Sequence, residues 1–273
     1  MQTLKDKTLL ITGASRGIGR ALALRAAADG ANVVIAAKTS EAHPRLAGTI
    51  HDTAAEVVAR GGRALAVVVD VRDESQVLDA VARAVERFGG IDILVNNASA
   101  VHPHPLQDTP IKRYDLMMDV NVRGSFVCAQ ACMPHLLRAA NPHILSLSPP
   151  LDLQPKWFRP HLAYTTSKFG MSMIALGLAE EFGAQGLASN TLWPRTLIAT
   201  AALDLAAPGQ AASARRPEIM ADAAHWILTQ PSRTATGCFF VDEDVLRRSG
   251  VTSFECYAVT PGAEPHLDYF IDP

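Results

Sequence analysis

The sequence predicts one α/β domain in which a parallel sheet is covered by helices on both faces. Three observations carry that prediction. Strand-like apolar runs alternate with helix-like segments along the first half of the chain. The runs are nearly continuous in Val, Ile and Leu, the composition of strands buried on both faces. Glycine breaks stand before several of them. Such alternation implies right-handed crossovers and a doubly wound sheet.

The elements follow in order. Residues 7–12 form a first strand that ends on a glycine turn, and 17–29 is helical and Ala-rich. A second strand, 31–37, follows Gly30. A third, 64–69, follows Gly61-Gly62, and a fourth, 91–95, follows Gly89-Gly90. A long helix is predicted over 111–138, a strand over 143–147, a helix over 162–182, and strands over 187–193 and 237–241. Residues 39–48, with His43-Pro44, and 102–110, with three prolines, read as loops. No linker composition divides the chain, so 1–273 is expected to be a single domain. Residues 242–273 form an extended C-terminal segment. Its Phe254, Tyr257, Tyr269 and Phe270 are too many aromatics for a polar disordered tail. The segment is therefore expected to pack on the body or on a subunit interface.

Composition narrows the function. Of 273 residues 48% are hydrophobic, enough for a substantial core, and 25 basic against 27 acidic residues leave a net charge of −2. Nucleic-acid binding needs a concentrated positive field, so it is not expected. No apolar run is long enough to span a bilayer. A strand begins almost at the N-terminus, leaving no room for a signal peptide, and a cytoplasmic setting is expected. The four cysteines, Cys128, Cys132, Cys238 and Cys256, show no metal-site spacing and read as buried reduced thiols, so no metal is expected.

The turn Thr12-Gly13-Ala14-Ser15-Arg16-Gly17-Ile18-Gly19 lies between the first strand and the first helix. Glycines there let the backbone approach a pyrophosphate, and a helix N-terminus supplies free N–H groups and positive dipole. The position makes this a dinucleotide site on a Rossmann-type sheet, with Gly13, Ser15, Arg16, Gly17, Ile18 and Gly19 as contacts. The second strand ends Ala36-Ala37-Lys38-Thr39, without the carboxylate that would bind ribose hydroxyls in an NAD site. Lys38 and Arg16 can instead pair with a 2′-phosphate, which favours NADP over NAD.

Together with this turn, Asn96-Asn97-Ala98-Ser99, Asn121-Val122-Arg123-Gly124 and Tyr164-Thr165-Thr166-Ser167-Lys168 resemble the short-chain dehydrogenase/reductase family, in the family's order and across nearly the whole chain. The resemblance includes bacterial members assigned to acyclic terpenol oxidation. It implies alcohol–carbonyl interconversion on a small molecule and a homodimer or homotetramer. Tyr164 and Lys168 are one helical turn apart and share a face. A phenol titrates near ~10, and a neighbouring ammonium should move it toward neutrality, where acid–base catalysis is efficient. The resemblance makes Tyr164 the proton carrier and gives Lys168 the nicotinamide ribose as well. It gives Asn121 a proton-relay water. It places Asn97, Ala98 and Ser99 on the cofactor side, Asp70 and Val71 at the adenine, and Pro194 and Thr196 near the nicotinamide. For Asp70 a helix N-cap is the competing reading.

Three features depart from the family's pattern. The fifth strand reads Ser146-Leu147-Ser148-Pro149-Pro150, which puts Pro149 where the catalytic Ser is expected and leaves Ser148 as the adjacent candidate. Ser148 either polarises the substrate oxygen or caps backbone. The stretch from there to Tyr164 is lengthened. After the sixth strand, Trp193-Pro194-Arg195-Thr196 carries Arg195 in place of Gly, facing either solvent or a substrate anion. Met171, Met173, Trp193 and Leu197 point to an apolar substrate, a terpenoid, steroid-like or fatty carbonyl. The alternative to an enzyme is an NADPH-binding regulatory protein with little or no turnover.

Overall fold

A computed structural model describes residues 3–42 and 47–272; His43 and Pro44 of the first expected loop lie outside them. The strands are β1 (Thr8–Thr12), β2 (Asn32–Ala37), β3 (Arg63–Val68), β4 (Ile93–Asn96), β5 (His143–Ser146), β6 (Ala188–Trp193) and β7 (Phe239–Val241). The helices are α1 (Gly17–Ala27), α2 (Ile50–Ala59), α3 (Glu74–Phe88), α4 (Ile111–Met117), α5 (Gly124–Leu136), α6 (Leu162–Phe182), α7 (Ala201–Ala206), α8 (Glu218–Thr229) and α9 (Asp242–Arg248). All seven strands are parallel, in the order β3-β2-β1-β4-β5-β6-β7.

Side chains alternate between the two faces of each strand. Leu9, Ile11, Val33, Ile35, Ile93 and Val95 join one buried cluster, under α1, α2, α8 and α9. Leu10, Val34, Leu94 and Ile144 join another, under α3 and α5. Both sets are apolar because both faces are covered. The exception is β3, expected to be buried on both faces. It is the sheet's edge, and Arg63 and Val68 are exposed.

The long helix expected over 111–138 is not continuous. A π-helical turn, Met118–Arg123, separates α4 from α5. Such single turns insert a residue into the helical ladder and recur at functional sites; Asn121 sits in this one. The cysteines also depart from expectation. Cys128 and Cys132 are buried, whereas Cys238 is half-buried and Cys256 exposed. Among the described residues, no helix is long and apolar enough to cross a membrane.

Candidate active site

Strand order reverses between β1 and β4, and in open parallel sheets ligands bind in the crevice beyond the strands' C-terminal ends at such a reversal. The glycine turn leaves β1 there. Gly13 has φ 67°, and its N–H donates to the Ala36 carbonyl at 2.7 Å. A Cβ at Gly19 would stand 2.5 Å from Asn97 Nδ2 and 2.7 Å from the Gly13 carbonyl. Asn97 braces this turn, donating from Nδ2 to the carbonyls of Thr12 (2.7 Å) and Gly13 (3.2 Å). Thr12 completes the brace. Its Oγ1 accepts from the N–H groups of Asn97 and Ala98, each at 3.0 Å. Sequence reasoning passed over Thr12, whose signal is a hydroxyl at the last position of the strand. Ser15 is buried, Ile18 is half-buried against the core, and Ser99 is exposed at the rim.

No side chain caps α1, and no acidic residue stands in its first turn. Its amides and dipole are therefore free for an anion. Arg16 donates to the carbonyls of Ala47 (3.1 Å) and Gly48 (3.0 Å), fastening the loop before α2 onto the turn. Lys38 is 60% exposed, with Nζ 3.6 Å from Asp70 Oδ2. Asp70 is clamped by Arg72, Nη2 to Oδ2 at 2.6 Å, and this bond holds its carboxyl down at about 2. The N-cap of α3 is Asp73, which accepts from the N–H groups of Ser75 and Gln76. The capping alternative for Asp70 is therefore set aside. Val71 is buried and packs where a Cβ on Gly124 would fall.

Tyr164 and Lys168 lie in the first turns of α6 and are 5% and 2% exposed. Lys168 Nζ donates to the Leu147 carbonyl at 2.5 Å and lies 5.1 Å from the centre of the Trp193 ring. Burial pushes its ammonium down to about 7, against the opposing pull of Asp268. Burial raises the Tyr164 phenol well above its ordinary value, and the charges of Asp268 and Tyr269 add to this. Both residues are desolvated together, and desolvation penalises both charged forms.

Asn121 is fully buried and its side chain is committed. Its Oδ1 accepts from the Ala100 N–H at 2.7 Å, and its Nδ2 donates to the Ala100 carbonyl and to Ser167 Oγ, each at 3.0 Å. Ser148 lies just beyond β5, next to the carbonyl that Lys168 touches. Its Oγ is buried, and among the described residues it has no hydrogen-bond partner; the same holds for Thr196 Oγ1. Pro149 presents its carbonyl to Ser172 Oγ at 2.6 Å. The backbone-capping alternative for Ser148 thus lacks its bond. Buried hydroxyls of this kind ordinarily find partners, and these two, one next to the carbonyl that Lys168 touches and one in the loop after β6, are open to a ligand's polar atoms.

His161 is buried, its ring centre 6.0 Å from that of Tyr164. Thr165 Oγ1 spends its hydrogen on the Trp157 carbonyl at 2.6 Å, so it accepts from His161 Nδ1 at 2.8 Å. Burial lowers the imidazole's pKa, leaving Nε2 an acceptor in the neutral ring. Arg195, half-buried, is tied to acidic neighbours. It pairs with Asp244 at 2.9 Å and lies 3.8 Å from Glu243, while its N–H donates to Asp242 Oδ1 at 2.8 Å. The backbone carbonyl of Arg195 accepts from the Asp268 N–H at 3.0 Å. Asp268, carried up to about 8 by burial, acts on Tyr164 through its charge, and no local pattern announces it. Chain separation hides it: nothing near residue 268 marks its proximity to residues 164 and 168.

Comparison with known proteins agrees with this geometry. Residues 7–207 match the family model described as short chain dehydrogenase. Hydroxysteroid dehydrogenase-like protein 2 of Danio rerio is 56% identical over 97% of this chain, which spans 64% of that relative's length. A putative dehydrogenase from Xanthomonas campestris is 58% identical with a TM-score of 0.97, covering 99% of this chain and 100% of that one. A short chain dehydrogenase from Mycobacterium paratuberculosis bound to NAD is 26% identical (TM-score 0.75; 88% of this chain and 97% of that one). A metagenomic short-chain oxidoreductase in complex with NADP is also 26% identical (TM-score 0.71; 87% and 97%). Similar structures thus hold either nicotinamide cofactor.

Proposed function

Because the chain belongs to the short-chain dehydrogenase family, an NAD(P)-dependent dehydrogenase/reductase family, we propose that it interconverts an apolar alcohol and its carbonyl with NADP. The observation that carries this reading is the burial of Tyr164 and Lys168 one turn apart, with Lys168 on the carbonyl next to the unpartnered hydroxyl of Ser148. Bound NADP supplies or takes the hydride. Gly13, Ser15, Gly17, Ile18 and Gly19 hold its phosphates at the α1 N-terminus, Thr196 and Pro194 its nicotinamide, and Asp70 and Val71 its adenine. Lys38, which shares Asp70 with Arg72, and Arg16 on the glycine turn supply positive charge for a 2′-phosphate.

In reduction, Tyr164 Oη gives its proton to the substrate oxygen; in oxidation it takes the proton from the alcohol. Ser148 Oγ donates to the same oxygen and fixes it in place. Lys168 in its charged form steadies the phenolate and holds the ribose hydroxyls. Asn121, bonded to the backbone at Ala100, keeps the π-turn against α6 and the relay water in place. The rings around Tyr164 exclude water and favour an apolar substrate. Phe126 on α5 and Met173 and Leu176 on α6 are exposed apolar residues that support a homo-oligomer.

The test follows nicotinamide absorbance with a panel of aldehydes, ketones and their alcohols. Turnover with NADPH faster than with NADH is expected. Equal affinities for the two would remove the NADP assignment, and no turnover with either would favour a regulatory role.

A further inference from the structure

Two stretches, the segment before Tyr164 and the C-terminal segment, pack on each other. Residues 266–268 run antiparallel to the loop after β6. The Leu197 N–H donates to the His266 carbonyl at 2.9 Å, Thr196 bridges to Leu267, and the Asp268 N–H donates to the Arg195 carbonyl at 3.0 Å. Trp193 Nε1 donates to the Tyr269 carbonyl at 2.8 Å. Phe270, 4% exposed, then sits among the rings of Trp157, His161, Tyr164, Phe169 and Trp193, at centroid distances of 5.4–6.3 Å. Lys156 of the first stretch pairs with Asp272 of the second at 2.6 Å.

Phe270 holds φ 69°, a left-handed conformation rare for a bulky residue, and one that persists only where the surroundings dictate it. The surroundings here are the catalytic helix and the end of β6. We propose that residues 151–161 and 266–272 form one aromatic wall on the substrate side of Tyr164, with Phe270 as its specificity-determining residue. The wall admits slender acyclic carbonyl compounds and excludes fused-ring ones. The selection is steric. Tyr164 is 5% exposed with this ring 6.3 Å away, so a substrate reaches the phenol past Phe270 and Tyr269 rather than through an open cleft. Purely structural packing would instead change stability and leave substrate ranking alone.

The inference rests on the alcohol–carbonyl reading, and the experiment separates the two. Parent, Phe270→Ala and Phe270→Gly proteins are assayed with NADPH on hexanal, decanal, cyclohexanone and 1-decalone. Binding of the matching alcohols in the presence of NADP is followed in parallel by tryptophan fluorescence. The expected result is a tenfold or greater rise in kcat/KM for 1-decalone relative to decanal in both variants, with the same shift in alcohol affinity. Ratios that stay within twofold in turnover and in binding overturn the wall. A parent that turns over nothing while the alcohol ranking still shifts overturns the reaction and keeps the wall. Tyr269→Ala, which alters a half-buried ring 6.4 Å from Tyr164, repeats the test if the Phe270 variants do not fold; an unchanged ranking there also overturns it.

Discussion

Gly13 and Phe270 adopt nearly the same left-handed backbone, at φ 67° and 69°, on opposite sides of the active-site crevice. At Gly13 the conformation costs little, because no Cβ meets the carbonyl, and the turn arises from local sequence. At Phe270 it costs about 1–3 kcal/mol, and it is held by five surrounding rings and by the Trp193–Tyr269 hydrogen bond. The cofactor side is thus built from backbone amides, glycines and a helix dipole, which many sequences of this pattern can supply. The side of the crevice lined by Phe270 is built from side chains brought together over about a hundred residues of chain. Chemistry common to a family can rest on the first, and selectivity can be altered in the second without disturbing it.

The largest expected effect separates the two sides. Tyr164→Phe removes the proton and keeps the ring, so turnover should fall about 10²–10⁴-fold while NADPH affinity, read by fluorescence titration, stays near the parent's. Comparable losses of both would mean that the two sides are not independent. Gly19→Ala should do the reverse. Its Cβ would fall 2.5 Å from Asn97 Nδ2, so NADPH affinity should drop at least tenfold and stability by about 1–3 kcal/mol. Unchanged affinity and melting temperature would show that the turn has room to spare.

Lys38→Asp sharpens the picture within the cofactor side. It places a carboxylate beside Asp70 and should weaken NADPH by about 1–3 kcal/mol and spare NADH, as two titrations would reveal. The smallest effect concerns the charges behind the substrate side. Burial carries the Asp242 carboxyl up to about 7 in the folded chain, from an ordinary value of 3.8. The folded state therefore keeps a proton that the unfolded chain has lost, and this contribution to stability declines as pH rises from about 4 through 7. Asp242→Asn should flatten that part of the melting-temperature profile; a parallel profile would place the dependence elsewhere.

The parallel sheet, its winding, the glycine turn and the Tyr164–Lys168 face were legible in the sequence because each depends on contacts close along the chain. A period of two with both faces apolar specifies a doubly covered strand, and a spacing of four specifies a shared helix face. The π-turn at Asn121 was not legible. The local pattern is that of an ordinary helix, and the extra residue is fixed by Asn121's bonds to Ala100 and Ser167, far away in sequence. The exposure of β3 was missed for a similar reason, since edge position is a property of strand order.

What the sequence determined by itself is the class of sheet, the glycine turn between β1 and α1, and the helix face that Tyr164 and Lys168 share. Tertiary structure alone decided how Tyr164 and Lys168 are desolvated, that Arg195 is tied to Asp244 and Glu243, and that Asp268 and Phe270 stand beside the phenol. The physical reason is the range of the forces. Backbone conformation and side-chain periodicity act between neighbours in the chain. Burial and Coulomb interaction act between neighbours in space, and residue 270 becomes a neighbour of residue 164 only once the sheet has formed and the tail has packed on the loop after β6.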